Sequence, residues 1–330
     1  MRQLWELLVF SLFHGFQPSE YYERKLYDEP ILAEIGVFLS EYDTKALAVA
    51  TNGPSAESVK SKLRFDQACR AAGLPVAPTF AFLEPDANTS ILSGESIGLP
   101  KADIFFKPVY GMEGIGIERW DYHGETDQWS YNETTCAEDA LRQHFYDLST
   151  KQSYVLQKAL RNHPEVADLS PGGLITYRLV SVSDNVEDPV VIASHMSLPR
   201  HLTTTNHESN GGIEAEIDLA TFELDAGYSF IPKHERHETH PTTGVRIKGR
   251  VAKEWPLLES LALQLHALFP DVSSIGWDIA YTTEGPIVLE GNTFWGLHNG
   301  MYLGKTAYVR RCLNVIRSSN SVKPQSAPMP

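Results

Sequence analysis

The sequence predicts an α+β fold, with a helical N-terminal region followed by two lobes of sheet and helix. Three observations predict it. From residue 55 onward, segments of two-residue alternation and segments of helical periodicity interleave, with no internal repeat. Two hairpin patterns stand out, one at 105–120 carrying a glycine-rich loop and one at 274–292 carrying carboxylates. The length, 330 residues, allows two or three packed lobes with a sizeable core. The expected division is 1–54 for the helical region, 55–156 for a small lobe with the glycine flap, 157–317 for a larger lobe with the acidic hairpin, and 318–330 for a disordered tail.

The elements follow in order. The apolar run in "MRQLWELLVFSLFHGF" is shorter than a membrane span, is interrupted by Glu6 and is followed by no small-residue cleavage site. It reads as an amphipathic helix that docks on the body or on a partner. Residues 29–40 place Ile31, Leu32, Ile35, Phe38 and Leu39 on one helical face. Ser55 is expected to cap a helix running to about Ala72, which Gly73 stops and Pro75 keeps from resuming. "TFAFLE" reads as a strand, and the loop Ser90–Pro100 leads to the glycine-bearing hairpin. "TDQWSY" adds a strand, Ala137–Leu148 a helix and "YVLQKAL", residues 154–160, a buried strand.

"TYRLVSV" and "PVVIASHMSL" are strands joined by a polar turn. Residues 200–250 are polar and show no clear element. Leu258, Leu261, Ala262, Leu265 and Leu268 mark an amphipathic helix, and 306–316 a last one.

The formal net charge of −14 argues against a general nucleic-acid or anionic-membrane binder, because phosphate neutralisation needs basic surface. Cys69, Cys136 and Cys312 are far apart and have no CxxC spacing. They suggest reduced thiols in a cytoplasmic protein.

In "FFKPVYGMEGIGIERW" the glycines at 111, 114 and 116 let the backbone approach a ligand and turn several N–H groups toward an anion. Lys107, just ahead of them, adds a positive charge. A phosphate-binding flap is expected. No GxxxxGK[ST] loop is present, so the chain is not a P-loop enzyme.

The second hairpin allows a register argument. With Thr283, Glu284 and Gly285 as a three-residue loop, Thr282 opposes Pro286 and Asp278 opposes Glu290. Asn292 then shares their face, while Trp277, Ile279, Tyr281, Ile287 and Leu289 form the apolar face. Asp278, Glu290 and Asn292 are hard oxygen ligands suited to Mg²⁺ that also touches nucleotide phosphates. The alternative is a polar solvent face on an edge hairpin. Against it, two carboxylates placed opposite one another repel unless a cation lies between them.

"FFKPVYGMEGIGI", "YVLQKAL", "TYRLVS" and "GWDIAYTTEGPIVLEGN" occur in an order that resembles the ATP-grasp superfamily. The segment "NHPEVADLSPGGLITYRLVS" is most similar to its sugar-transfer-associated branch. The resemblance covers residues from about 55 to 310 and implies two α+β lobes gripping ATP. It implies ATP and Mg²⁺ as cofactors and, as substrates, a carboxylate and an amine joined through an acyl phosphate. It makes Lys107 a ligand of the α- and β-phosphates, with Lys62 a weaker match to a first phosphate lysine; a surface helix lysine is the alternative there. Gln157, Lys158, Ala159 and Leu160 become the strand that reads adenine through its backbone. Glu165 holds the ribose, with Asp168 as competitor, and Asp278, Glu290 and Asn292 become the magnesium ligands.

The chain departs from the pattern at Gly276, where many of these ligases carry an arginine that steadies the acyl phosphate. Arg178 is the candidate substitute, and a salt-bridged structural arginine is the alternative. A kinase phosphorylating a hydroxyl and a nucleotide-binding sensor are the competing functions.

Two further features carry less. His234, His237 and His240 in "HERHETH" lack the HExxH order and are expected to lie in a solvated loop. Trp295 and His298 either line the acceptor pocket or pack beneath the last helix.

Overall fold

In the computed structural model, residues 2–13, 18, 21, 41–85, 98–110, 116–184, 188–201, 211–229 and 235–295 are described, and their strands form two antiparallel sheets. The expected helices at 29–40 and 306–316, the tail, Gly111, Gly114, His234 and His298 lie outside the described residues.

The smaller sheet contains β1 (Thr79–Leu83), β2 (Ile104–Pro108), β3 (Glu118–His123), β4 (Gln128–Tyr131), β5 (Thr134–Ala137) and β6 (Tyr154–Lys158), in the order β1-β6-β2-β3-β4-β5. The strand after β4 was not foreseen; a tight turn with Asn132 at φ +52° makes it. A helix at Glu138–Ser149 covers one face. There Phe106 stacks between Phe145 and Tyr154, at centroid distances of 4.1 and 4.3 Å, above Ile104, Trp120, Trp129 and Leu141. Alternation along β2 therefore leaves Phe105 and Lys107 on the opposite face.

The larger sheet contains β7 (Thr176–Val182), β8 (Val190–Leu198), β9 (Ile213–Glu216), β10 (Gly227–Ser229), β11 (Glu235–His237), β12 (Ser274–Thr282) and β13 (Gly285–Asn292). Their order is β11-β10-β9-β8-β7-β12-β13. Three of these strands fall within 200–250, where local polarity hid them. The helix Trp255–Ala267 packs on one face with Tyr177, Leu179, Met196, Ala215, Trp277, Ile279 and Val288. A buried hydrogen-bond chain anchors that face. Trp277 Nε1–H donates to Ser181 Oγ at 2.7 Å, and Ser181 Oγ lies 2.6 Å from His266 Nδ1. His266 Nε2 lies 2.8 Å from Val272 O and must donate to it, which leaves Nδ1 to accept from Ser181.

The helix expected from Ser55 to Ala72 is two helices, Ala56–Lys60 and Lys62–Ala71. Ser55 makes no side-chain cap. Ser61, extended at φ −83° and ψ 109°, breaks the run and accepts from Arg64 N–H at 3.4 Å. Gly73, at φ +69°, ends the second helix as expected. These helices do not belong with the small lobe. Val59, Phe65 and Cys69 join the core of the larger sheet, where Phe65 stacks on Phe269 and Trp277 at 6.2 and 6.1 Å.

The β12–β13 hairpin also differs from its expected register. Thr282 pairs with Gly285, not Pro286, so only Thr283 and Glu284 form the loop, with Gly285 at φ +96°. A β-bulge between Asp278 and Ile279 then restores the pairing of Asp278 with Glu290. The bulge also exchanges the core residues. Val288, not Ile287 or Leu289, opposes Ile279 in the core.

Two strips of chain tie the sheets together. Ala77 N–H donates to Val288 O and Val288 N–H to Pro75 O, each at 3.0 Å. After β6, Arg161 O accepts from Thr283 N–H at 3.3 Å, and His163 N–H donates to Tyr281 O at 2.9 Å. Gln157 and Lys158 remain in the smaller sheet, so the crossover runs from 159 to 163.

Candidate active site

The face of the larger sheet opposite its helix is set by alternation and register. Asp278 pairs with Arg178 on one side and Glu290 on the other, so the three side chains share that face. Arg178 forms a two-pronged ion pair with Asp278, from Nε to Oδ1 at 2.5 Å and from Nη2 to Oδ2 at 3.1 Å. Asn292 Nδ2 donates to Asp278 Oδ2 at 3.2 Å. Lys62 reaches in from the first turn of its helix, with Nζ 3.7 Å from Glu290 Oε2 and 3.4 Å from Val109 O. Its side chain is only 18% exposed and lies beside Glu290 instead of in open solvent. Lys107 faces the same space from β2, with its ammonium 4.8 Å above the Phe105 ring.

The electrostatics reflect a crowded, dry cluster. Burial pushes the Asp278 carboxyl up to about 6, with the Glu290 charge adding to the rise and Arg178 opposing it. Burial also raises Glu290, but Lys62, Lys107 and Arg178 together bring it below the usual carboxylate range. Burial lowers Lys107 to about 8, despite the attraction of Glu290. Two opposed carboxylates held by three cations describe a site organised for positive charge.

The donor set fits Mg²⁺: two carboxylates and an amide oxygen on one face, hard ligands in the right number to leave room for phosphate and water. Among the described residues no three His, Cys, Asp or Glu side chains gather as a metal group, so a metal here depends on Asn292 and on ligand oxygens.

Gly276 now has a physical reason. A Cβ there would lie 2.6 Å from Trp295 Cβ and 3.2 Å from Arg178 Cδ. Trp295 is buried against Val180, Val182, Ile192 and Ala193 and donates from Nε1 to Ser274 Oγ at 3.0 Å. Its role is packing. The space in which an arginine at 276 would start is filled by this ring and by the stem of Arg178.

The crossover carries the chain from Gln157–Leu160, at the end of β6, to the larger sheet. Gln157 is paired on both sides, with Thr79 and Phe105, so its backbone is engaged. Lys158 N–H donates to Pro78 O and Ala159 N–H to Asp103 O, both at 2.9 Å. Leu160 N–H makes no backbone bond among the described residues. Lys158 Nζ is ion-paired with Glu284. Asp168 is held by Arg250 Nη1 at 2.8 Å, whereas Glu165 stays exposed, 3.7 Å from His163 Nδ1. Gly116, at φ +75°, closes the flap loop beside Pro108.

Sequence reasoning missed His195 and Glu214. Arg178 pairs with His195, and His195 Nε2 lies 3.7 Å from Glu214 Oε1, on the same face as Asp278. The signal available was parity: His195 is the polar residue in an apolar strand, at the position facing Arg178. The histidine segment is also corrected. His240 is fully buried, accepts from Thr242 and Thr243 N–H at 3.3 and 3.2 Å, and sits 3.1 Å from Pro199 O. It is a structural knot and not a solvated loop residue.

A cleft of about 360 Å³ lies beside the crossover, lined by Lys101, Asp103, Tyr122, Lys158, Leu160 and Glu284. Lys158 pairs with Ile104, on the face of β6 away from Lys107, so its side chain turns toward this cleft and not toward the cluster.

Residues 48–315 match the family model described as sugar-transfer associated ATP-grasp. No curated protein sequence matches the chain. Among solved structures it is similar to the D-alanine-D-alanine ligase from Coxiella burnetii, at 12% identity and a TM-score of 0.43. That match covers 80% of this chain, and the chain spans 58% of the ligase.

Proposed function

The chain belongs to the sugar-transfer associated ATP-grasp family, and from that premise we propose that it is a Mg²⁺- and ATP-dependent ligase joining a carboxylate to an amine, with release of ADP and phosphate. One observation carries the reading. Lys62 and Lys107 on one side, and Arg178, Asp278, Glu290 and Asn292 on the other, converge on a single cleft between the two sheets. A sensor has no use for three cations and two carboxylates gathered on one largely buried face, because each is costly to bury unpaired.

Each residue has a task. Lys107 and Lys62 bind the triphosphate, Leu160 N–H meets the adenine edge, and Glu165 takes the ribose hydroxyls. Asp278, Glu290 and Asn292 would hold magnesium, which when bound neutralises charge on the transferring phosphoryl group. Arg178 lies one strand from Asp278 and steadies the acyl phosphate that the substrate carboxylate forms. The carboxylate oxygen bonds to the γ-phosphorus as its bond to the ADP oxygen breaks; the amine nitrogen then bonds to the acyl carbon and gives up a proton to solvent, while the carbon–oxygen bond to phosphate breaks and phosphate leaves with the electron pair. We take the carboxylate to be an amino acid or a sugar-linked acid, the second in keeping with the sugar-transfer association in the family's description. The two sheets and the 159–163 crossover serve as the gripping lobes and their hinge. No described helix is long and apolar enough to cross a membrane.

Hydroxylamine trapping over a panel of carboxylic acids tests the reading. A hydroxamate formed together with ADP is expected. A stable phosphorylated product would make the protein a kinase, and binding without turnover for every acid would make it a sensor.

A further inference from the structure

Register lines up one residue from each of five neighbouring strands across the larger sheet. Glu290 on β13 pairs with Asp278 on β12, Asp278 with Arg178 on β7, Arg178 with His195 on β8, and His195 with Glu216 on β9. Met196, Ala215 and Ile217, the chain neighbours of His195 and Glu216, lie in the core on the helix side, so the row faces the cleft. It runs from the two carboxylates, through the arginine, to a histidine. Strands lie about 4.8 Å apart, so the histidine stands one such step beyond Arg178 and two beyond Asp278.

His195 is 6% exposed and sits among charges. Among the described residues, those facing it are Arg178 from β7 and Glu214 and Glu216 from β9. Glu214 Oε1 lies 3.7 Å from His195 Nε2. An imidazole backed by a carboxylate is the arrangement of a positioned base, because the carboxylate steadies the imidazolium that forms.

We propose that His195 is a catalytic residue, which takes the proton that a primary amine must lose before it can attack. Glu214 is its positioning residue. This inference rests on the ligase reading. At neutral pH a primary amine arrives as an ammonium ion, with a proton on the electron pair that would attack. That N–H bond breaks, the proton passes to the imidazole, and the electron pair stays on the amine nitrogen. Glu214 keeps the ring's own hydrogen on Nε2, so Nδ1 receives the new one. The freed amine then attacks the acyl carbon beside Arg178, one strand away. The proton lost after that bond forms is a second one and goes to solvent. His195 is reset when it too releases its proton to solvent.

The test uses the full chain with ATP, Mg²⁺ and an acid that gives a hydroxamate, and lets hydroxylamine and hydrazine compete at neutral pH. Hydroxylamine is then mostly uncharged and needs no base, whereas hydrazine is mostly protonated. The same two nucleophiles acting on acetyl phosphate in solution give the reference ratio of hydrazide to hydroxamate. The wild type should exceed that ratio by about tenfold, a modest share of what a positioned base contributes. His195→Gln should return the ratio to the solution value, and Glu214→Gln should lower it part of the way. Thermal unfolding checks that each variant is folded, and should His195→Gln fail to fold, Glu214→Gln decides. A ratio still at the wild-type value in either folded variant makes the pair structural and overturns the proposal. A wild-type ratio equal to that in solution overturns it without any variant and leaves the ligase reading standing. No hydroxamate from any acid sinks the ligase reading and the proton transfer with it.

Discussion

Glu290 is the residue least able to change, because it faces Asp278 and receives Lys62 from the other side. Glu290→Gln keeps the shape and removes a full charge where cations meet, so ATP turnover should fall by about a hundredfold or more. ADP release measured beside thermal unfolding checks this, and near-normal turnover would remove the metal assignment. Lys107 makes a prediction in pH. Burial lowers its pKa to about 8 from the ordinary 10.5, so between those values the unfolded chain binds more protons. Stability from this group therefore rises with pH across that window. Nucleotide affinity runs the other way, since a bound triphosphate keeps the ammonium charged. Affinity should decline as pH rises past about 8, by up to about tenfold per pH unit for one linked proton. Calorimetric titrations across pH should show the decline in the wild type and a flattened profile in Lys107→Met.

At the scale of elements, the acidic hairpin shows how a right pairing can rest on a wrong loop. Alternation suggested Asp278 opposite Glu290, but the loop is two residues, and only the bulge after Asp278 brings the carboxylates together. No spacing in "GWDIAYTTEGPIVLEGN" announces a bulge, because it arises from packing Val288 instead of Leu289 beneath Ile279. The same strand explains the missing arginine. Gly276 is required by Trp295, so Gly276→Ala should force the ring or the Arg178 stem to shift and cost about 1–3 kcal/mol. Chemical denaturation measures this, and a neutral result would show that Trp295 yields readily. Ser61 belongs here as well. By breaking one expected helix into two, it starts the second at Lys62, which turns that lysine into the cleft.

Across the whole molecule, the binding groups come from both sheets and from the strips joining them, so ligand and closure should stabilise together. ATP with Mg²⁺ should raise the unfolding free energy by about 2.7 kcal/mol at a hundredfold excess over Kd. Glu290→Gln should lose the increment due to Mg²⁺ while keeping that due to ATP alone, which melting curves in the two media resolve. An equal Mg²⁺ increment in both proteins would place the ion elsewhere. The sequence by itself determined the α+β class and the glycine-bearing and acidic hairpins, and it singled out Lys107, Asp278, Glu290 and Asn292 as candidates. These follow from local alternation and from chemistry carried within single segments. Only the tertiary structure decided that Lys62 lies against Glu290 and Arg178 against Asp278, and that Trp295 takes the place of a side chain at 276. Each of those depends on partners about 20 to 230 residues away, brought together by sheet register and core packing, which no local pattern encodes.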